Sequence, residues 1–179
     1  MKTVTRIAIV LAAILGFGPA FATGFVFQSK SVLEPGQEVP PVEDSEALGI
    51  GIIQFNVGMT KADVKVTFSN LSGEFSRLHL HCAPEGVNGP IVVGFVDLVS
   101  IANDNSEVAT LDSNTVTAAI TDDQVTAGLD CEGQIINDLA DLGDAINSGN
   151  IYWNLHTFVN PPGEIRGQLE PAELIRIPR

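Results

Sequence analysis

The chain has 179 residues, with 22 Asp and Glu against 9 Lys and Arg and a formal net charge of −13. So acidic a chain is repelled by the phosphates of nucleic acid and by anionic membrane surfaces, so neither is expected as a partner. Its length suits one domain with a sizeable core.

Lys2 and Arg6 precede an uncharged apolar run from Ile7 to Phe17, which ends at Gly18-Pro19. Ala20-Phe21-Ala22 then puts small residues at the two positions a signal peptidase reads, which predicts cleavage before Thr23. The run is about 11 residues long, whereas a membrane-spanning helix needs about 20. Residues 1–22 are therefore expected to be a signal peptide, and residues 23–179 one exported domain, periplasmic or extracellular, with no membrane span. Cleavage removes two basic residues and leaves 7 basic against 22 acidic, a charge of −15.

Short β-type segments follow in chain order. Phe25 to Leu33 alternates in part and ends before Pro35-Gly36; Leu48 to Val57 is apolar and punctuated by glycine. Ala62 to Leu71 sets Val64, Val66 and Phe68 on one face against Lys65 and Thr67 on the other. Leu78 to Cys82 and Ile91 to Val99 are separated by a turn from Pro84 to Pro90. Ser100 to Thr115, rich in Asn, Asp, Ser and Thr, is expected to be a loop. Ile135 to Asn147 breaks the β pattern: Ile135, Leu139, Leu142 and Ile146 recur at helical spacing, and Gly149 follows as a C-terminal cap. Ile151 to His156 and Glu164 to Leu169 form a last pair around Asn160-Pro161-Pro162-Gly163, and the tail from Pro171 is expected to be loosely held. The pattern predicts an all-β fold, an antiparallel β-sandwich or barrel with one short amphipathic helix.

The three histidines carry the clearest chemistry. His79 and His81 flank Leu80, and on a strand residues i and i+2 share a face about 6.5 to 7 Å apart. Two imidazoles so placed can converge on one metal ion, while Leu78, Leu80 and Cys82 face the core. His156 lies on another predicted strand, in phase with Tyr152 and Asn154. If the two strands are neighbours, His79, His81 and His156 form a three-imidazole site, a donor set that suits copper and zinc. Arg77 shares the parity of the histidine pair, and Arg166 lies on the strand expected to hairpin with that of His156; either could hold an anion, or form an ordinary salt bridge such as Arg166 with Glu164.

Cys82 and Cys131 are the only cysteines, and in an exported chain an even pair is read as a disulfide, with two free thiols as the alternative. The serine-nucleophile elbow, the phosphate-binding loop and the dinucleotide fingerprint are all missing. Asn103-Asp104-Asn105-Ser106-Glu107 offers oxygens to calcium but lacks the full EF-hand spacing.

Several spaced motifs resemble the CHRD domain, the family named for chordin. They are Glu38-Val39-Pro40-Pro41, Asn70-Leu71-Ser72-Gly73, His79-Leu80-His81 with Asn88-Gly89-Pro90, and the ending from Gly149 through Tyr152-Trp153-Asn154-Leu155-His156-Thr157 to Asn160-Pro161-Pro162-Gly163-Glu164-Ile165-Arg166-Gly167-Gln168-Leu169. The resemblance runs from about Phe25 to Leu169. Cys82 and Pro162 stand where the family often has glycine, which reads as an added disulfide at Cys82. The resemblance implies an immunoglobulin-like antiparallel β-sandwich of the stand-alone secreted bacterial type.

The site is also similar to that of copper-zinc superoxide dismutases, which carry an H-x-H strand on the outer face of a sandwich and a later histidine. This likeness implies copper, with zinc less favoured, and gives Arg166 a catalytic part in admitting a small anion such as superoxide. No histidine is left for a separate zinc site, so such an enzyme would be copper-only. The alternative is a non-enzymatic extracellular module that binds a protein partner or matrix.

Overall fold

The computed structural model describes residues 24–99 and 108–177. The predicted signal peptide and the Asn103–Glu107 calcium candidate lie outside the described residues. Among these residues there are twelve strands and one α-helix, and ten of the strands form the two sheets of an antiparallel β-sandwich, which bears out the predicted class. The larger sheet has the order β12-β1-β2-β3-β7-β6, from Glu173–Ile177, Gly24–Leu33, Leu48–Asn56, Ala62–Ser69, Thr115–Ile120 and Ala109–Asp112. The smaller sheet has the order β11-β10-β4-β5, from Ile165–Gln168, Ile151–Thr157, Phe75–Cys82 and Ile91–Asp97. Leu129–Cys131 (β8) and Gln134–Ile136 (β9) form a separate small hairpin.

The strands obey the alternation in the sequence. β3 buries Ala62, Val64, Val66 and Phe68 and exposes every residue between them. These side chains meet Leu78, Leu80, Phe95, Trp153, Leu155 and Ile165 from the facing sheet in one core. Trp153 is fully buried and tilts against Phe95, with ring centroids 5.3 Å apart. It also accounts for a glycine in β2: a Cβ on Gly51 would lie 2.5 Å from the Trp153 indole nitrogen. Glu34 and Arg166 exchange backbone hydrogen bonds at 2.9 and 3.3 Å, which joins the end of β1 to β11 and ties the sheets at one edge.

Three sequence expectations are corrected. The segment expected to be a loop up to Thr115 contains β6 and leads into β7, because Ala109 and Val116 face the core among residues of high loop propensity. The tail beyond Pro171 forms β12 against β1. The helix (α1) begins at Leu139, where Asp138 caps it by accepting from the Asp141 amide at 2.9 Å; Ile135 belongs to β9. Its buried face carries Leu139, Leu142, Ala145 and Ile146, and Gly149 follows with φ 76°.

Cys82 and Cys131 are joined in a disulfide with Cα atoms 5.7 Å apart. The bond fastens the β8–β9 hairpin to the end of β4, one residue beyond His81. Among the described residues no helix is long and apolar enough to cross a membrane.

Candidate metal centre

β10 pairs antiparallel with β4 so that Asn154 lies opposite His79, Tyr152 opposite His81 and His156 opposite Arg77. This is the adjacency the three-histidine reading required. One atom from each of His79, His81 and His156 lies within 4.8 Å of the other two. The ring centroids stand 5.0 Å (His79 to His156), 5.5 Å (His79 to His81) and 6.3 Å (His81 to His156) apart.

The cluster faces away from the sandwich core, as the parity predicts, yet it is covered. His79 and His156 are only 2 % and 5 % exposed. Loops from both ends of the sheet close over the rings and hold them. The Nδ1 atom of His81 is 2.8 Å from the Gly89 carbonyl oxygen, and Nδ1 of His156 is 3.0 Å from that of Pro161. A carbonyl can only accept, so each Nδ1 carries the proton and each Nε2 keeps its lone pair. Those two Nε2 atoms and both nitrogens of His79 are buried without a hydrogen-bond partner.

Four orphaned ring nitrogens in one place are costly unless something binds them, since a buried polar group left unpaired costs about 1–3 kcal/mol. Burial pushes His79 down to about 3 and His156 down to about 4, and the neighbouring rings and Arg77 add to the effect. His81 is also lowered by burial, partly offset by its bond to Gly89. At neutral pH the three rings are uncharged bases, the form in which imidazole ligates a metal. The chemistry of the donor set therefore fits a histidine-bound ion.

A stacked layer extends from the cluster. The Tyr152 ring lies 5.2 Å from that of His81 at 15°, and its hydroxyl accepts from the Gly89 amide at 3.1 Å. The Arg166 guanidinium sits 3.5 Å above the Tyr152 ring. Arg166 is 1 % exposed and donates to the carbonyls of Val87 (2.8 Å) and Pro84 (3.0 Å) and to Asn88 Oδ1 (3.3 Å). Its guanidinium is thus engaged with the 84–89 turn, the segment that presents the Gly89 carbonyl to His81. The anticipated ion pair with Glu164 is not formed: the Glu164 carboxylate accepts instead from Thr157 Oγ1, the Ser72 amide and Ser45 Oγ. Arg77 approaches Asp97 at 3.6 Å and keeps a quarter of its side chain exposed.

Glu38 and Asn154 were not singled out as site residues in the sequence. Each leaves a buried side-chain oxygen unpartnered, and both line the space a Cβ on Gly163 would fill, 2.4 Å from Asn154 Oδ1 and 2.6 Å from Glu38 Oε1. Burial pushes Glu38 up to about 7 against the opposing pull of Arg166. The parity of Tyr152 and Asn154 with His156 was legible; that Glu38 folds back onto this sheet was not.

A model of the CHRD domain family matches residues 29–169. No curated protein matches the chain, and no solved structure does.

Proposed function

The chain belongs to the CHRD domain family, and on that premise we propose that it is an exported copper-binding protein whose ion is held by His79, His81 and His156. One observation carries the reading: three neutral imidazoles converge, two of them fixed by backbone carbonyls so that unpaired Nε2 atoms remain. Ring-nitrogen bonds of this kind to outer partners orient histidine ligands and raise their basicity. Export is supported by the leader pattern in residues 1–22 and by the disulfide, a bond that persists in oxidising compartments.

The likeness to superoxide dismutases extends the proposal to copper-only superoxide dismutation. The guiding role given to Arg166 has little support from its geometry, because its donors are engaged with the 84–89 turn. Arg77, partly exposed and acting electrostatically on His79 and His156, is the better placed cation.

A second reading is a non-enzymatic extracellular module for protein or matrix contacts. It draws on the same bonds to Gly89 and Pro161, which would make the histidines fasteners of two loops. Copper titration of the secreted protein, followed by a superoxide assay, separates the two. Micromolar or tighter binding that falls at least about tenfold in each of His79→Ala, His81→Ala and His156→Ala supports the copper site. No binding by the wild type, together with a loss of several kcal/mol of stability in His79→Ala, leaves the module reading.

A further inference from the structure

We infer that the three-histidine cluster is built for monovalent copper in preference to a divalent ion, an inference that deepens the copper reading above and rests on it. Imidazole accepts zinc and both valences of copper, so donor type alone does not choose among them. Charge and solvent do.

The clustered donors are all neutral. Among the described residues, no carboxylate joins the three rings within ligand distance of one another. The sulfur of Cys82, the residue after His81, is tied up in the disulfide and lies with the core residues. The charges around the cluster add no net anion. Arg77 bears on His79 and His156, and the carboxylate bearing on His156, Asp97, already lies 3.6 Å from Arg77. Arg166 bears on His81, and Glu38 lies within its field. An entering ion therefore keeps its full charge in a buried setting.

The cost of burying an ion grows with the square of its charge, so a divalent ion suffers a desolvation cost about four times that of a monovalent one. Three-histidine sites that hold divalent zinc complete the shell with a water, whose ionised form brings the missing negative charge. Here the free ring nitrogens are shielded from solvent, beneath the loops that carry Gly89 and Pro161. A monovalent, closed-shell ion needs neither the anion nor the water.

The test compares ions on the intact secreted protein. Cu(I) is titrated without oxygen against a chromophoric Cu(I) chelator, and Cu(II) and Zn(II) are titrated in the same buffer. The expected result is a Kd for Cu(I) at least about 100-fold below those for Cu(II) and Zn(II), with bound Cu(I) retained under tenfold excess Zn(II). In Asn154→Asp, which adds a carboxylate opposite His79 without changing volume, divalent binding should strengthen and the ratio narrow about tenfold. Divalent binding to the wild type as tight as Cu(I) overturns the preference, and so does an unchanged ratio in Asn154→Asp. Binding of neither copper valence is a different failure, since it removes the metal site itself.

Discussion

His79 and His156 are bases held in a place that excludes their charged form, and this makes the protein's stability a function of pH. In the folded chain they lie at about 3 and about 4, against 6.5 when unperturbed. Below pH 6.5 the unfolded chain binds protons that the folded chain refuses, so their contribution falls as the pH drops from 6.5 towards 4. Glu38 runs the other way. Its folded value of about 7 exceeds the ordinary 4.5, so its contribution is complete below 4.5 and is lost as the pH rises through 7. Between pH 7 and pH 5 the two effects oppose each other. Glu38→Gln removes one of them, and the metal-free variant should lose stability on acidification more steeply than the wild type, by roughly 1–2 kcal/mol over that interval. Urea melts at pH 7 and pH 5 measure the difference; parallel losses in both proteins would refute it. Arg166 belongs to the same scale. Its planar fork reaches three acceptors in the 84–89 turn, a geometry lysine cannot copy. Arg166→Lys is expected to free the turn, so that the His81 Nδ1–H proton exchanges rapidly in NMR spectra while that of His156 stays protected.

At the scale of elements, the disulfide anchors a hairpin too small to hold itself. β8 and β9 have three residues each, and the link to Cys82 spans 49 positions. Closing such a loop removes unfolded-chain entropy worth about 4 kcal/mol in the simple polymer treatment. The double variant Cys82→Ser, Cys131→Ser should lose about 2–5 kcal/mol in chemical denaturation, and the wild type should present no thiol to an alkylating reagent without reductant. The same scale explains what could be read in the sequence. β3, β4 and β10 were visible because each alternates or carries in-phase polar residues, and the His-x-His parity followed from that alone. β6 was hidden: it has four residues, three of them exposed, and owes its place to pairing with β7. β12 was hidden likewise, since its pairing with β1 links opposite ends of the chain. The site was legible as three residues and illegible as an enclosure. Gly89 and Pro161 lie only 8 and 5 positions from His81 and His156, yet nothing in their residue types tells that their carbonyls close on two imidazoles, because that depends on the path of the turn after each strand.

At the scale of the molecule, the domain joins a strongly negative whole to a buried cluster of uncharged rings. The charge of −15 expected after cleavage repels small anions at long range, and salt screens that repulsion over about 8–10 Å at physiological ionic strength. The pairing of β1 with β12 has a separate consequence, for the edge of the larger sheet. Gly24–Gln28 pairs along one side with Glu173–Ile177, which follows every other described strand in the chain. Until β12 is in place, β1 presents a row of unmatched amides and carbonyls, the kind of edge on which neighbouring chains add. A chain ending at Pro171 would replace β12, a five-residue outer strand that carries Glu173 and Arg176, with the ten-residue β1 as the sheet's edge. It should retain the β spectrum but sediment as dimers and larger species at concentrations where the full chain is monodisperse. The short β12 thus takes the outer position in the sheet that β1 would otherwise hold.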